Sequence, residues 1–333
     1  MTVRRTAEAT EMDWFERLTG FREAGYEETR RLLRVDGERL HSTVSGASYG
    51  IGRLELVSLR DLRSRAAEAQ SPGKLRFSDI LGDVGLLHSE PKYAGALFQV
   101  ASQFNLLEMV SPDVKPEDGV TIYQHDHTQG PACAIAAGAA TIYRNYFVPI
   151  GAGYGQTSTR QLDGLADIGT TLSKVTGLPV GGLWNMRNGY ALCSAEGLKA
   201  TSTWLAEASP AARDELRGSL KVGLHWNVEV TAGVTAGHQF VSQAFCSALP
   251  VSYSRLPPDD WRDFAEFVLE AAYEATLWAA AINARNGGSK ILLLTRLGGG
   301  AFGNNGRWID RAMKRALDLV AGCDLDVRLV RRG

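Results

Sequence analysis

The sequence predicts an α/β fold with a largely parallel or mixed sheet. Strand-like and helix-like segments alternate through the second half of the chain, the pattern of strands joined by packed helices. A long amphipathic segment, 259–286, lies between two strand-like runs. The stretch "KILLLTRLGGGAFGNNGRWIDRAMKRAL", 290–317, joins a buried strand to a helix through four glycines in six positions.

Composition narrows the class. With 333 residues the chain suffices for one large domain or two small ones, and 44% hydrophobic with 22% charged residues is ordinary for a globular protein. Lys+Arg 36 against Asp+Glu 37 gives a net charge of −1, so no global attraction to nucleic acid or anionic lipid is expected. The cysteines at 133, 193, 246 and 323 form no C-x-x-C pair, which argues against a zinc ribbon or a disulfide framework and suits a reducing compartment. "MTVRRTAEATEMDWFERL" at the N-terminus has no apolar core of signal-peptide length, and no run approaches eighteen apolar residues. A cytoplasmic protein without a membrane partner is expected.

The elements follow in order. Trp14, Phe15, Leu18, Phe21, Tyr26 and Leu32 among charges predict one or two amphipathic helices over 12–34, interrupted near Gly20. "STVSGASYGIGRLELVSL" carries hairpin signals, and "LRDLRSRAAEA" reads as a short polar helix. "SPGKLRF" turns into a strand, and "YAGALFQVASQF", 93–104, reads as a buried strand ending at Asn105. A polar loop over 108–132 leads into the small-residue helix "ACAIAAGAATIYRNYF", and a Gly/Thr/Ser-rich insertion covers 150–182. "LWNMRNGYALC" and "LKVGLHWNVEVT" look like strands around a helix at 195–218. "HQFVSQAFCSALPVSYS" is a further strand, Pro257-Pro258 opens the long helix, and strand 290–296, helix 307–321 and "LDVRLV" complete the alternation.

The glycine loop asks for a ligand. One left-handed residue would serve a tight turn; four glycines also strip away the side chains that would keep a ligand from the main chain. A strand, a glycine loop and a helix N-terminus together present N–H groups to an anion, commonly a phosphate. "GGGAFGNNGRW" lacks the Lys-Ser/Thr of a Walker loop. Gly298, Gly300 and Gly303 satisfy G-x-G-x-x-G, but only one strand follows, and arginines stand where a Rossmann fold would place its acidic ribose ligand. An NADP-dependent oxidoreductase, using Arg331 or Arg332, is an alternative of a different class.

With that loop at the penultimate strand-helix junction, the C-terminal half resembles a macrodomain, the ADP-ribose-binding fold. "KILLLTRLGGGAFGNN" is similar to the family's second phosphate loop, which wraps the diphosphate and distal ribose. The resemblance implies this role for Gly298, Gly299, Gly300, Ala301, Phe302, Gly303 and Asn304, with Phe302 beside the ribose. "ALFQVASQFN" resembles the strand ending in the family's ribose-binding asparagine, here Asn105, and "TQGPACAIAAGAA" resembles the first phosphate loop, with Gln129, Gly130 and Ala132 as the opposing clamp. "RFSDILGDVGLL" resembles the turn whose aspartate, here Asp83, accepts from the adenine amine. The resemblance covers about residues 75–330. It implies a three-layer α/β/α fold with a mixed central sheet, formed by 75–333 with an insertion at about 150–240, and an N-terminal helical and hairpin extension over 1–74 packed on it.

Two features depart from the family pattern. The first loop reads Gln-Gly-Pro-Ala-Cys instead of being glycine-rich, and it lacks the paired glutamates of the poly(ADP-ribose) glycohydrolase branch. Hydrolysis at the distal ribose needs a carboxylate within one water of the anomeric carbon. Asp126, Asp118 and Glu108 are the local candidates, with Asp126 first because it immediately precedes the loop; solvation or helix capping is the competing reading of each. His125 and His127 flank Asp126, but no third ligand stands nearby, so no metal is expected. Cys133 and the other cysteines read as small buried residues. The implied function is binding of ADP-ribose and hydrolysis of an ADP-ribosyl linkage on a protein, a nucleic acid or a metabolite, without a cofactor. A non-catalytic module that reads ADP-ribose on a partner is the second reading. Oligomeric state is left open.

Overall fold

In the computed structural model, which describes residues 12–68, 72–233 and 238–331, the first amphipathic segment becomes α1 (Trp14–Thr19) and α2 (Tyr26–Arg31). Asp13 caps α1 by accepting the Glu16 N–H at 2.7 Å, and Gly20 ends it at φ 82°, where a side chain would be strained. The hairpin signals become a three-stranded antiparallel sheet, β1 (Leu33–Asp36), β2 (Arg39–Ser42) and β3 (Ser48–Gly50). Next come β4 (Arg53–Ser58), α3 (Leu59–Ala67), β5 (Arg76–Leu81), α4 (Val84–Leu87) and β6 (Leu97–Ala101). β6 is shorter than the apolar run suggests, because Pro91–Tyr93 form a 3₁₀ turn and the chain bends back after Ala101.

The small-residue helix is two helices, α5 (Gln129–Ala136) and α6 (Gly138–Tyr146), broken where Ala137 leaves helical geometry at ψ 60°. A short hairpin, β7 (Pro149–Ile150) and β8 (Gly153–Tyr154), precedes α7 (Ala166–Thr176) and α8 (Val180–Leu183). "LWNMRNGYALC" is itself a hairpin, β9 (Trp184–Arg187) and β10 (Tyr190–Cys193), turned by Asn188 and Gly189 at φ 46° and 82°. Both turn residues have the positive φ that two-residue hairpin loops require. Ser209-Pro210 divides the following helical stretch into α9 (Ala195–Glu207) and α10 (Pro210–Arg217). The remainder is β11 (Lys221–Glu229), β12 (Phe240–Cys246), α11 (Pro258–Arg285), β13 (Ile291–Leu294), α12 (Gly306–Leu319) and β14 (Asp326–Arg331). Pro258 at the first position of α11, Asp259 and Asp260 in its first turn and Arg285 in its last all suit the helix dipole.

Among the described residues, seven strands form the central sheet in the order β4-β11-β12-β6-β13-β14-β5, and β11 alone runs against the other six. One face is covered by α3, α9, α11 and α12, whose Leu62, Leu198, Trp261, Phe264 and Ile309 share a core with Leu97, Leu292 and Leu294. On the other, α4, α5 and α6 bury Phe98, Val100 and Phe245 with Val84, Cys133 and Ala137. Trp14, Phe15 and Tyr146 pack the N-terminal helices outside that layer. The architecture is three-layer α/β/α with a mixed sheet. It also redraws the expected boundaries. β4, from within 1–74, is a strand of the sheet, paired with β11. β11 in turn lies within the stretch expected as an insertion, so the segment outside the sheet ends near residue 220.

α11 carries the largest share of the core, and Phe264, 1% exposed, stacks on Trp184 at 5.6 Å. Phe264→Ala is expected to cost about 3–5 kcal/mol in urea unfolding. A loss under about 1 kcal/mol would mean that the ring is not packed as described.

Candidate active site

β5–α4–β6 crosses on one face of the sheet and β13–α12–β14 on the other, so the chain changes sides between β6 and β13. Open α/β sheets hold ligands beyond the carboxyl ends of their strands at such a point. A cleft opens there, between the loops that follow Ala101 and Leu294.

One wall is the start of α5. The Gln129 side chain accepts the Ala101 N–H at 2.9 Å and donates to the Gln99 carbonyl at 2.8 Å, so it occupies the place of a neighbouring strand at the end of β6. Gly130 follows in closest approach: a Cβ here would lie 2.1 Å from the Ala101 carbonyl oxygen and 2.2 Å from Glu108 Oε2. Asp126 accepts the Thr128 N–H at 2.8 Å and fixes the entry to the helix. The N–H groups of Gln129 and Gly130 stand in the first turn of α5, where no intrahelical acceptor exists.

The opposite wall is the glycine loop. Gly298 and Gly303 adopt φ 72° and 70°. The loop is held by three main-chain bonds, Gly299 N–H to Arg296 O, Gly303 N–H to Gly300 O and Asn304 N–H to Gly298 O, all 2.9–3.0 Å. Asn304 donates from its side chain to the Leu249 carbonyl at 2.8 Å, and Asn305 caps α12 through the Arg307 N–H. The N–H groups of Gly300, Ala301 and Phe302 find no acceptor among the described residues, and all three residues line the cleft. Phe302, Tyr190 and Tyr253 close one end, with ring centroids 5.1–5.6 Å apart. Tyr190 donates to the Met109 carbonyl at 2.5 Å.

Glu108 reaches the cleft from beneath. Its carboxyl is buried, Oε1 has no hydrogen-bond partner among the described residues, and its own N–H donates to Tyr123 Oη at 3.0 Å. Burial raises its pKa well above 4.5; the Arg144 guanidinium opposes this, and the Asp126 carboxylate reinforces it. The group is therefore a protonated acid over a range where ordinary carboxyls are ionised. A second recess adjoins the first through Thr128, Gln129 and Thr295 and is lined by Asp83, His127 and Ala132. Asp83 accepts the Leu86 N–H at 3.2 Å and remains exposed.

Several expected residues stand elsewhere. Asp118 is exposed, accepts the Lys115 N–H at 2.8 Å and closes the 3₁₀ turn Pro116–Asp118, away from the cleft. Asn105 is buried behind the turn after β6, accepting from the Leu107 N–H at 3.1 Å and donating to Gln161 at 2.9 Å. Gly299, Gly303 and Asn304 shape the glycine loop without lining the cleft. Tyr190, Tyr253, Met109 and Arg296 do line it and were not singled out from sequence. Only the Asn-Gly turn hinted at Tyr190, and nothing local tells where a hairpin docks.

The alternatives find less here. Arg331 is paired with Asp79 at 3.0 Å, and Arg332 lies outside the described residues, as do 1–11 of the N-terminal segment read for a signal peptide. Among the described residues there is no group of three or more potential metal ligands, and no helix is long and apolar enough to cross a membrane. A larger concavity, about 880 Å³, opens at the other end of the strands beside Gly95, Trp226 and Asn283. Among the described residues its lining includes no carboxylate side chain.

No family model and no curated protein matches the chain. Among solved structures it is similar to poly(ADP-ribose) glycohydrolase from Deinococcus radiodurans in complex with ADP-ribose, at 11% identity over 84% of this chain and 86% of the other, with a TM-score of 0.44. It is also similar to the enzyme of that name from Thermomonospora curvata bound to the inhibitor ADP-HPD, at 13% identity over 92% and 89%, with a TM-score of 0.45. Likenesses this distant carry no weight for function, which rests on the cleft itself.

The buried carboxyl gives a signed pH dependence. Because the folded state raises the Glu108 pKa, the native protein binds this proton more tightly than the unfolded chain. The contribution is intact below 4.5, the usual value, and stability falls as pH rises from there through the folded-state pKa. Glu108→Gln, which cannot ionise, is expected to flatten that fall in urea unfolding between acid and neutral pH. Parallel curves for the two proteins would mean that the carboxyl is solvated.

Proposed function

We propose that the cleft binds ADP-ribose and that the protein hydrolyses an ADP-ribosyl linkage, with Glu108 as the acid. The observation that supports this most is the placement of one buried, unpartnered carboxyl between two loops of unsatisfied N–H groups. Facing N–H groups from a helix N-terminus and a glycine loop suit a diphosphate, which takes several donors at once. Phe302, Tyr190 and Tyr253 offer apolar faces to a sugar at the end where Glu108 stands, and Asp83 offers an acceptor to an exocyclic amine in the adjoining recess.

The chemistry follows from the protonation state. Glu108 gives its proton to the oxygen leaving the anomeric carbon, and the C–O bond breaks with positive charge developing on the sugar. Water adds to that carbon and returns a proton to the Glu108 carboxylate. Asp126, with one carboxylate oxygen committed to Thr128, orients the loop and faces the same space. This assigns the acid to Glu108, where the sequence alone pointed first to Asp126. The carrier of the ADP-ribosyl group, protein or nucleic acid, belongs to the test.

ADP-ribose should raise the melting temperature at concentrations where AMP and ribose 5-phosphate do little, since ligand binding stabilises the native state by mass action. Equal shifts with ATP would overturn the reading. Gly300→Glu, whose side chain would enter open space at the loop, should abolish the shift while the protein stays folded. Glu108→Gln should lower release of ADP-ribose from modified protein or nucleic acid by about 100-fold or more, with calorimetric affinity kept within a few-fold. Tight binding without turnover in the parent protein would favour the reader module instead.

A further inference from the structure

Behind the Glu108 turn lies Arg144 of α6, a guanidinium with no exposed surface. Its Nε donates to the Leu106 carbonyl at 3.2 Å, one Nη to Thr141 Oγ1 at 2.9 Å and the other to His225 Nδ1 at 3.3 Å. The guanidinium carbon stands 3.8 Å from the centroid of the Phe245 ring. Every one of these partners is neutral, since burial and the neighbouring Arg144 charge hold His225 uncharged. No carboxylate lies within ion-pair distance of Arg144 among the described residues. A buried cation without an anion is an expensive arrangement.

The groups that face Glu108 identify the role of Arg144. They are Arg144 from α6, Tyr123 and Asp126 from the loop before α5, Cys133 from α5 and Tyr190 from β10. Burial raises Tyr123, Cys133 and Tyr190, so all three stay protonated. The Asp126 carboxylate opposes ionisation of Glu108. Among the described residues, Arg144 is therefore the positive charge that acts on Glu108, and Glu108 is the nearby carboxyl that can answer it. Burial lowers the Arg144 pKa to about 10, which still leaves it charged at neutral pH. The backbone agrees: the Leu106 carbonyl held by Arg144 belongs to a residue at φ 65°, a conformation unfavourable for leucine, two positions before Glu108.

We infer that Arg144 is a positioning residue for Glu108, fixing the left-handed turn that aims the carboxyl into the cleft and supplying the charge against which the carboxylate forms once the proton is given up. The inference rests on the reading of Glu108 as the acid, but its central measurement does not need catalysis. In the 333-residue chain with ¹³C-labelled glutamate carboxyls, the Glu108 resonance is identified by its loss in Glu108→Gln and titrated. Arg144→Gln, which removes the charge, should raise the Glu108 midpoint by about one pH unit or more. Arg144→Lys, which keeps the charge, should hold it near the parental value and retain more turnover than Arg144→Gln. An unmoved midpoint in Arg144→Gln overturns the inference. If Arg144→Gln does not fold, Arg144→Lys decides alone, because a midpoint raised despite the retained charge overturns it equally. A midpoint that moves as expected in a protein that releases no ADP-ribose supports the coupling and removes the hydrolase reading instead.

Discussion

The contact of Gly130 with the end of β6 governs the rest of the site. With the Ala101 carbonyl and the Glu108 carboxylate both closer than 2.5 Å to where a Cβ would be, no side chain fits between helix and strand. The main chain of α5 can therefore lie directly on the strand end, and the Gln129 amide can complete the hydrogen bonding of β6. That arrangement sets where the first-turn N–H groups point, and it seals Glu108 from water on one side. An apolar small-residue helix follows because the same close approach continues along the sheet through Cys133 and Ala137.

The polar lining of this cleft is dipolar rather than ionic. Arg296, the one cationic side chain in the lining among the described residues, is engaged by Asp310 at 2.5 Å and by the Gly306 carbonyl at 3.2 Å. The loops instead offer main-chain N–H groups, which are fixed in direction and cost little further ordering when a ligand arrives. The buried acid benefits from the same absence of mobile cations, since a lysine or free arginine beside it would pull its proton off. The positive charge that reaches Glu108 is that of Arg144, held behind it in α6.

What the sequence made legible were features that backbone geometry demands locally. The glycine loop, the helix after it and the Pro-initiated α11 declare themselves by residue type. Asn105 and Asp118 show the limit. Apolar alternation runs through Phe104, yet the strand stops at Ala101, and Leu106 at positive φ reverses the chain so that Asn105 points away from the cleft. Asp118 is a turn cap, the competing reading of any loop carboxylate. Glu108 is one of three candidate carboxylates in the sequence and nothing local sets it above Asp126, because burial is a property of what packs around it: Tyr123, Arg144 and Gly130 come from three separate segments. Tyr190 was hidden for the same reason, and so was β4, whose partner strand lies more than 160 positions along the chain.

The strand order carries a consequence for how the molecule is made. β4 and β5, the first two strands of the sheet to leave the ribosome, become its two outer edges, and everything between them arrives later. β4 waits for β11, and β5, with Phe77 and Leu81 exposed even in the finished fold, waits for β14. Pairings so remote in sequence close slowly. During synthesis the nascent chain therefore holds two unpaired strands whose partners do not yet exist, the condition under which edges find strangers. Chaperone engagement should be longest while residues between β5 and β11 emerge, and the sheet is assembled from its borders inward.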